Sequence, residues 1–79
     1  MIKLKDFVAV TQNSTLLVFS GSLVIAKTES RKVLERINPK YYDINDLYIT
    51  DIESSPYDDT IYVEVYSSWQ IENMERFTK

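Results

Sequence analysis

The stretch Thr60-Ile61-Tyr62-Val63-Glu64-Val65-Tyr66-Ser67 decides how the chain is read. Ile61, Val63 and Val65 alternate with Tyr62, Glu64 and Tyr66. A period of two marks a strand with one face toward a core and the other toward water. Tyr62, Glu64 and Tyr66 then share the outward face, with Trp69 close by. An exposed aromatic row forms a sizeable apolar patch, and such patches mark interaction sites. The competing reading is that a C-terminal helix or a neighbour covers this face. With one face wet, the strand is placed nearer an edge of the sheet.

Upstream, Asp46 to Glu53 reads as the strand's partner, with Ser54 to Asp59 as the turn between them. Its alternation is imperfect. Leu47 and Ile49 fall on one face and Ile52 on the other, so a bulge near Thr50-Asp51 is needed to bring Ile52 inward. A second hairpin lies earlier: Thr15 to Phe19 and Leu23 to Lys27, joined by Ser20-Gly21-Ser22. Gly21 is the only glycine and sits where a tight turn needs a positive φ. The near-continuous apolar runs of these two strands suggest burial on both faces or a central place in the sheet.

Helical spacing fills the remainder. Leu4, Phe7 and Val8 predict a short helix over 3–10, with an irregular or extended strand as the rival, since Phe7-Val8-Ala9-Val10 is a short apolar run that periodicity does not resolve. Thr11-Gln12-Asn13-Ser14 is a polar connector. Thr28-Glu29-Ser30 offers N-caps for a helix over Arg31 to Ile37, with Val33, Leu34 and Ile37 inward and Arg31 spaced to pair with Glu35. Asn38-Pro39 ends it. Ser67-Ser68-Trp69-Gln70 has the Ser-x-x-Gln form of a capping box. Ile71, Met74 and Phe77 recur at helical spacing after it, and Glu72 precedes Arg76 by four. A C-terminal helix over 68–77 follows. The expected fold is α+β, one domain over 1–79: two β-hairpins joined by a central helix, one antiparallel or mixed sheet, and short terminal helices. A small half-open barrel is the alternative.

Composition removes whole classes of chemistry. The chain has 79 residues and neither histidine nor cysteine. The commonest general base, ordinary zinc sites, disulfides and thiolate chemistry are all absent. One glycine rules out a phosphate-cradling Gly-rich loop. So short a chain leaves little room for a walled substrate cleft. The expectation is a non-enzyme with no cofactor and no metal. No apolar run approaches the ~20 residues that span a bilayer. The N-terminus lacks the apolar h-region of a signal peptide. The expected compartment is the cytoplasm.

Charge divides the chain near Lys40. Residues 1–40 carry seven basic and three acidic side chains; residues 41–79 carry two basic and nine acidic, for a net charge of −3. All six tyrosines and Trp69 lie in the acidic half. Tyr gives contact area with a polar tip, so a Tyr-bearing acidic surface fits a protein partner. Tyr41, Tyr42, Tyr57, Tyr62, Glu64, Tyr66 and Trp69 are the candidate contact residues. For Tyr41-Tyr42 the rival reading folds one ring over the core end and leaves the other outside. Lys27, Arg31, Lys32, Arg36 and Lys40 form a basic cluster on a solvated helix face. The net acidic domain and the absence of a nucleic-acid motif argue against direct nucleic-acid binding. Asp51, Glu53, Asp58 and Asp59 lack the Gly and spacing of a calcium loop and read as solvated turn carboxylates.

Leu4-Lys5-Asp6-Phe7, with Asn13-Ser14-Thr15 before an apolar strand, and Asp46-Leu47-Tyr48-Ile49 paired with Ile61 to Val65 resemble small uncharacterised proteins of Gram-positive bacteria and their phages or mobile elements. About half the chain carries the resemblance, and no functional motif goes with it. It implies an accessory protein. Two functions follow as expectations. One is a non-catalytic protein–protein interaction module with a Tyr-rich acidic face, open to homodimerisation. The other is an acidic inhibitor of the phage counter-defence type, occupying a basic nucleic-acid groove of an enzyme.

Overall fold

The alternating strand lies at the centre of the sheet, not at its edge. In the computed structural model, which describes residues 1–11 and 13–77, with side chains described through Met74, the order is α1 (Leu4–Val10), β1 (Thr15–Ser20), β2 (Leu23–Glu29), α2 (Val33–Arg36), β3 (Leu47–Ser54), β4 (Thr60–Ser67) and α3 (Ser68–Phe77). One sheet runs β2-β1-β4-β3. Both hairpins are antiparallel, and β1 pairs β4 in parallel. The fold is therefore α+β with a mixed sheet. The sheet is open, so the barrel alternative falls.

The placement of β2 and β4 also corrects the sequence reading. β2 is an edge, and its Leu23 and Val24 are exposed. Its apolar run does not mark burial on two faces. β4 is central because the hairpins join through it. Its alternation reflects one face under α1 and α2 and one half-buried face turned away from them, a pattern that a central strand shares with an edge strand.

Register sorts the side chains into two faces. Leu16, Val18, Ala26, Leu47, Ile49, Val63 and Val65 point one way. Leu4 and Val8 of α1, with Val33 and Ile37 beside them, complete the core on that side. Each Val, Leu or Ile among them is worth roughly 1.5–3 kcal/mol over exposure. Phe7, Leu34 and Ile44 pack against its margin. The described part of α3 adds no side chain to this core.

Local chemistry sets the joints. Gly21 has φ 61 and Ser20 pairs with Leu23, leaving a two-residue loop with glycine first, the II′ pattern that suits strand twist. Thr11 ends α1: its Oγ1 donates to the Phe7 carbonyl at 2.8 Å. Gln12 lies outside the described residues. Ser30 is fully buried and does not cap a helix through its side chain. Its hydroxyl lies 2.9 Å from Thr11 Oγ1 and donates to the Val8 carbonyl at 3.3 Å, stitching α1 to the end of β2. The helix expected over Arg31 to Ile37 shrinks to a 3-10 turn over Ser30–Lys32 and one α turn, with Ile37 already extended. Arg31 pairs with Glu29 at 2.9 Å in place of Glu35.

β3 carries the expected bulge, with register shifting between Ile49 and Asp51. Ile52 thereby returns to the side of Val63, its pair. It stays 43% exposed at the sheet's open edge. At the other end, the N-terminal segment extends the sheet. Ile49 N–H donates to the Ile2 carbonyl at 2.8 Å, and Lys3 bridges Tyr48. The capping box forms as the sequence implies. Ser67 N–H donates to Gln70 Oε1 at 3.0 Å, and Gln70 N–H donates to Ser67 Oγ at 3.2 Å. The Phe77 and Arg76 side chains, which the helical spacing also invoked, lie outside the described residues. Among the described residues, no helix is long and apolar enough to cross a membrane.

Candidate functional site

The sheet face turned away from α1 and α2 is built by every second residue of four strands. β1 contributes Leu17 and Phe19, β4 contributes Tyr62, Glu64 and Tyr66, and β3 contributes Tyr48. All six are half-buried. Pairing sets them in rows. Leu17 lies beside Tyr62, Phe19 beside Glu64, and Tyr66 beside Tyr48. Tyr62 and Tyr66 stand four residues apart on one strand, ~13 Å at the usual strand rise. The Tyr66 hydroxyl reaches the β1–β2 turn, 3.8 Å from where a Cβ on Gly21 would sit. Lys3 Nζ lies 5.8 Å from the centre of the Tyr48 ring, within reach of a cation–π contact.

The rim of this face is charged. Glu64 Oε1 accepts from Thr50 Oγ1, the bulge residue, at 2.9 Å. Asp51 and Glu53 project on the β3 side, beside Glu64 and Tyr62, and Lys27 on the β2 side, beside Leu17. All three are exposed.

The candidate residues do not form a single patch. Tyr62, Glu64 and Tyr66 come together on β4. Trp69 is 68% exposed in the first turn of α3. Tyr42 packs over the core end, while Tyr41 stays 69% exposed with Lys40 Nζ 5.7 Å from its ring centre. Both line a small cleft of ≈ 200 Å³ with Leu47, Ser67 and Gln70. Tyr57 is 95% exposed in the β3–β4 turn, at the far end of β4 from Tyr66.

Leu17, Phe19 and Tyr48 were not singled out by the sequence. Leu17 and Phe19 alternate with buried Leu16 and Val18, but both phases of β1 are apolar, so the second face is masked in the sequence. Tyr48 does carry a signal: it is out of phase with Leu47 and Ile49.

Asp58 is held below the ordinary carboxylate range, first because the Thr60 backbone N–H donates to it at 2.9 Å. Hydroxyls of Thr60 and Ser55 add to this, and partial desolvation opposes it. That is the electrostatics of an Asx turn. Asp51, Glu53, Asp58 and Asp59 are all exposed. Among the described residues, no three His, Cys, Asp or Glu side chains gather as a metal site. No protein-family model, curated protein or solved structure matches this chain.

Proposed function

We propose that the chain is a non-catalytic protein-interaction module whose docking surface is the sheet face bearing Leu17, Phe19, Tyr48, Tyr62 and Tyr66. An accessory role in the cytoplasm, of the kind implied by the resemblance to small phage and mobile-element proteins, goes with this reading. The observation that carries it is the half-buried aromatic row on a face that neither α1 nor α2 covers. Tyr rings offer large contact area with two side-chain torsions and a hydroxyl that remains satisfied at a wet rim. The test is a photo-crosslinking amino acid placed at Tyr62, and separately at Arg36 on the helix side, in a lysate of the source cell. A specific adduct from position 62 and none from 36 is expected. Adducts only from 36 would sink the reading.

A second reading has its own observation. Asp51, Glu53, Asp58 and Asp59 are exposed along β3 and its turn, where a basic nucleic-acid groove could receive them. Such an inhibitor complex weakens steeply with salt, whereas a hot spot of aromatic rings tolerates it. Repeating the crosslinking from ~0.05 M to ~0.5 M salt separates the two.

A further inference from the structure

Strand register puts opposite charges at the two ends of one row. Lys27 pairs with Leu17, Leu17 with Tyr62, and Tyr62 with Glu53. One line across this face therefore reads Lys27-Leu17-Tyr62-Glu53, with exposed ends and a half-buried middle. The next reads Val24-Phe19-Glu64-Asp51. Of the in-plane two-fold axes about which such a face can meet a second copy, two keep the strands of the copies aligned. An axis parallel to the strands lays β2 of one copy over β3 of the other and keeps each row level. Lys27 of each copy then meets Glu53 of the other, and Leu17 meets Tyr62. In the second row Asp51 meets Val24 and Glu64 meets Phe19, so no like charges oppose. An axis across the strands lays β3 over β3 and exchanges the rows, bringing Asp51 against Glu53. Opposed like charges disfavour that arrangement.

We propose that the chain self-associates face to face through Leu17, Phe19, Tyr62 and Tyr66, about a two-fold axis parallel to β1 and β4, with Lys27 of each copy paired to Glu53 of the other. The inference rests on reading this face as a docking surface. Aligned packing of two twisted sheets, ~10 Å apart, suits the arrangement. Strands ~4.8 Å apart and six residues rising ~3.3 Å each give a footprint on the order of 400 Å² per copy. That is about half of the ~800 Å² per partner of a standard interface. The dimer is therefore weak and concentration-dependent.

Sedimentation velocity over a concentration series tests it, on the wild type, Lys27→Glu, Glu53→Lys, the two combined, and Tyr62→Ser with Tyr66→Ser. Lys27 and Glu53 are exposed, so the charge variants keep the fold; circular dichroism checks this for all five. The expected result is a dimer weakened about tenfold by each single charge change and restored by the double exchange. A wild type monomeric throughout overturns the self-association, while the crosslinking result for the face stands apart. A dimer blind to the charge exchange but lost in the tyrosine variant overturns the proposed axis and keeps the face. A dimer indifferent to both sets is built on another surface and overturns the inference.

Discussion

Val63 shows how one position separates the two faces. It is fully buried, paired with Val18 on one side and Ile52 on the other. Val63→Asp places an unpaired charge in the core, at a cost above ~4 kcal/mol. A domain of this size has only roughly 4–12 kcal/mol to lose. Loss of the cooperative thermal transition by circular dichroism is expected. Gly21 is the second sensitive residue. Its φ of 61 strains any side chain, and Gly21→Val is expected to cost at least ~1–2 kcal/mol by urea denaturation. Asp58 is the third. Its carboxylate accepts from the Thr60 N–H, so its folded value lies below the unfolded one. The stabilisation it gives is complete above about pH 4, the unfolded range, and fades as pH falls through the lower folded value. The wild type is expected to exceed Asp58→Ala in urea midpoint at pH 6, and the gap to close on acidification. At this scale the sequence was legible wherever one residue has one reason. Gly21 could only be a turn. Ser30 could not be read, because its buried hydroxyl serves Val8 and Thr11, which are distant in sequence.

Elements with their own local signals were legible, and elements defined by neighbours were not. The capping box of α3 needs only Ser67 and Gln70, and both hydrogen bonds form. Gln70→Ala and Ser67→Ala are each expected to cost about 0.5–2 kcal/mol of helix stability, read as lost helical ellipticity. The bulge in β3 was legible from the phase slip between Ile49 and Ile52. The burial of Ile52 was not, because phase says which side a residue faces and not whether anything covers it there. The same limit explains β2 and β4. Hydrophobicity placed β2 at the centre, yet centrality is decided by which strands the hairpins share. The helix after β2 was over-read for a related reason. Val33 and Ile37 both reach the core, but Ile37 does so from extended backbone at the helix end. For the candidate site, Tyr62, Glu64 and Tyr66 were visible as one row of β4. Their neighbours Leu17, Phe19 and Tyr48 come from other strands and needed the register.

At the scale of the molecule, sheet order turns a division in sequence into a division in space. The hairpin β1–β2 fills one side of the sheet and β3–β4 the other. Lys27, Arg31, Lys32 and Arg36 follow the first, while Asp51, Glu53, Asp58, Asp59 and Glu64 follow the second; Lys40 instead lies over Tyr41, near Leu47 and Ser67 of the second. Lys3 and Lys5 are exceptions, carried across by α1 to Tyr48 and Asn45. Opposite charges on opposite sides favour a second copy turned about the strand axis. Their reach shrinks from ~30 Å at 0.01 M to ~8 Å at 0.15 M salt, while contact between aromatic rows does not depend on it. The most direct test of face-to-face association through this surface is a backbone amide NMR dilution series at ~0.15 M salt. Concentration-dependent shifts are expected at Leu17, Phe19, Lys27, Glu53, Tyr62 and Tyr66, with α1 and α2 silent. Shifts gathered on α1 and α2, or a spectrum unchanged by dilution, would contradict it.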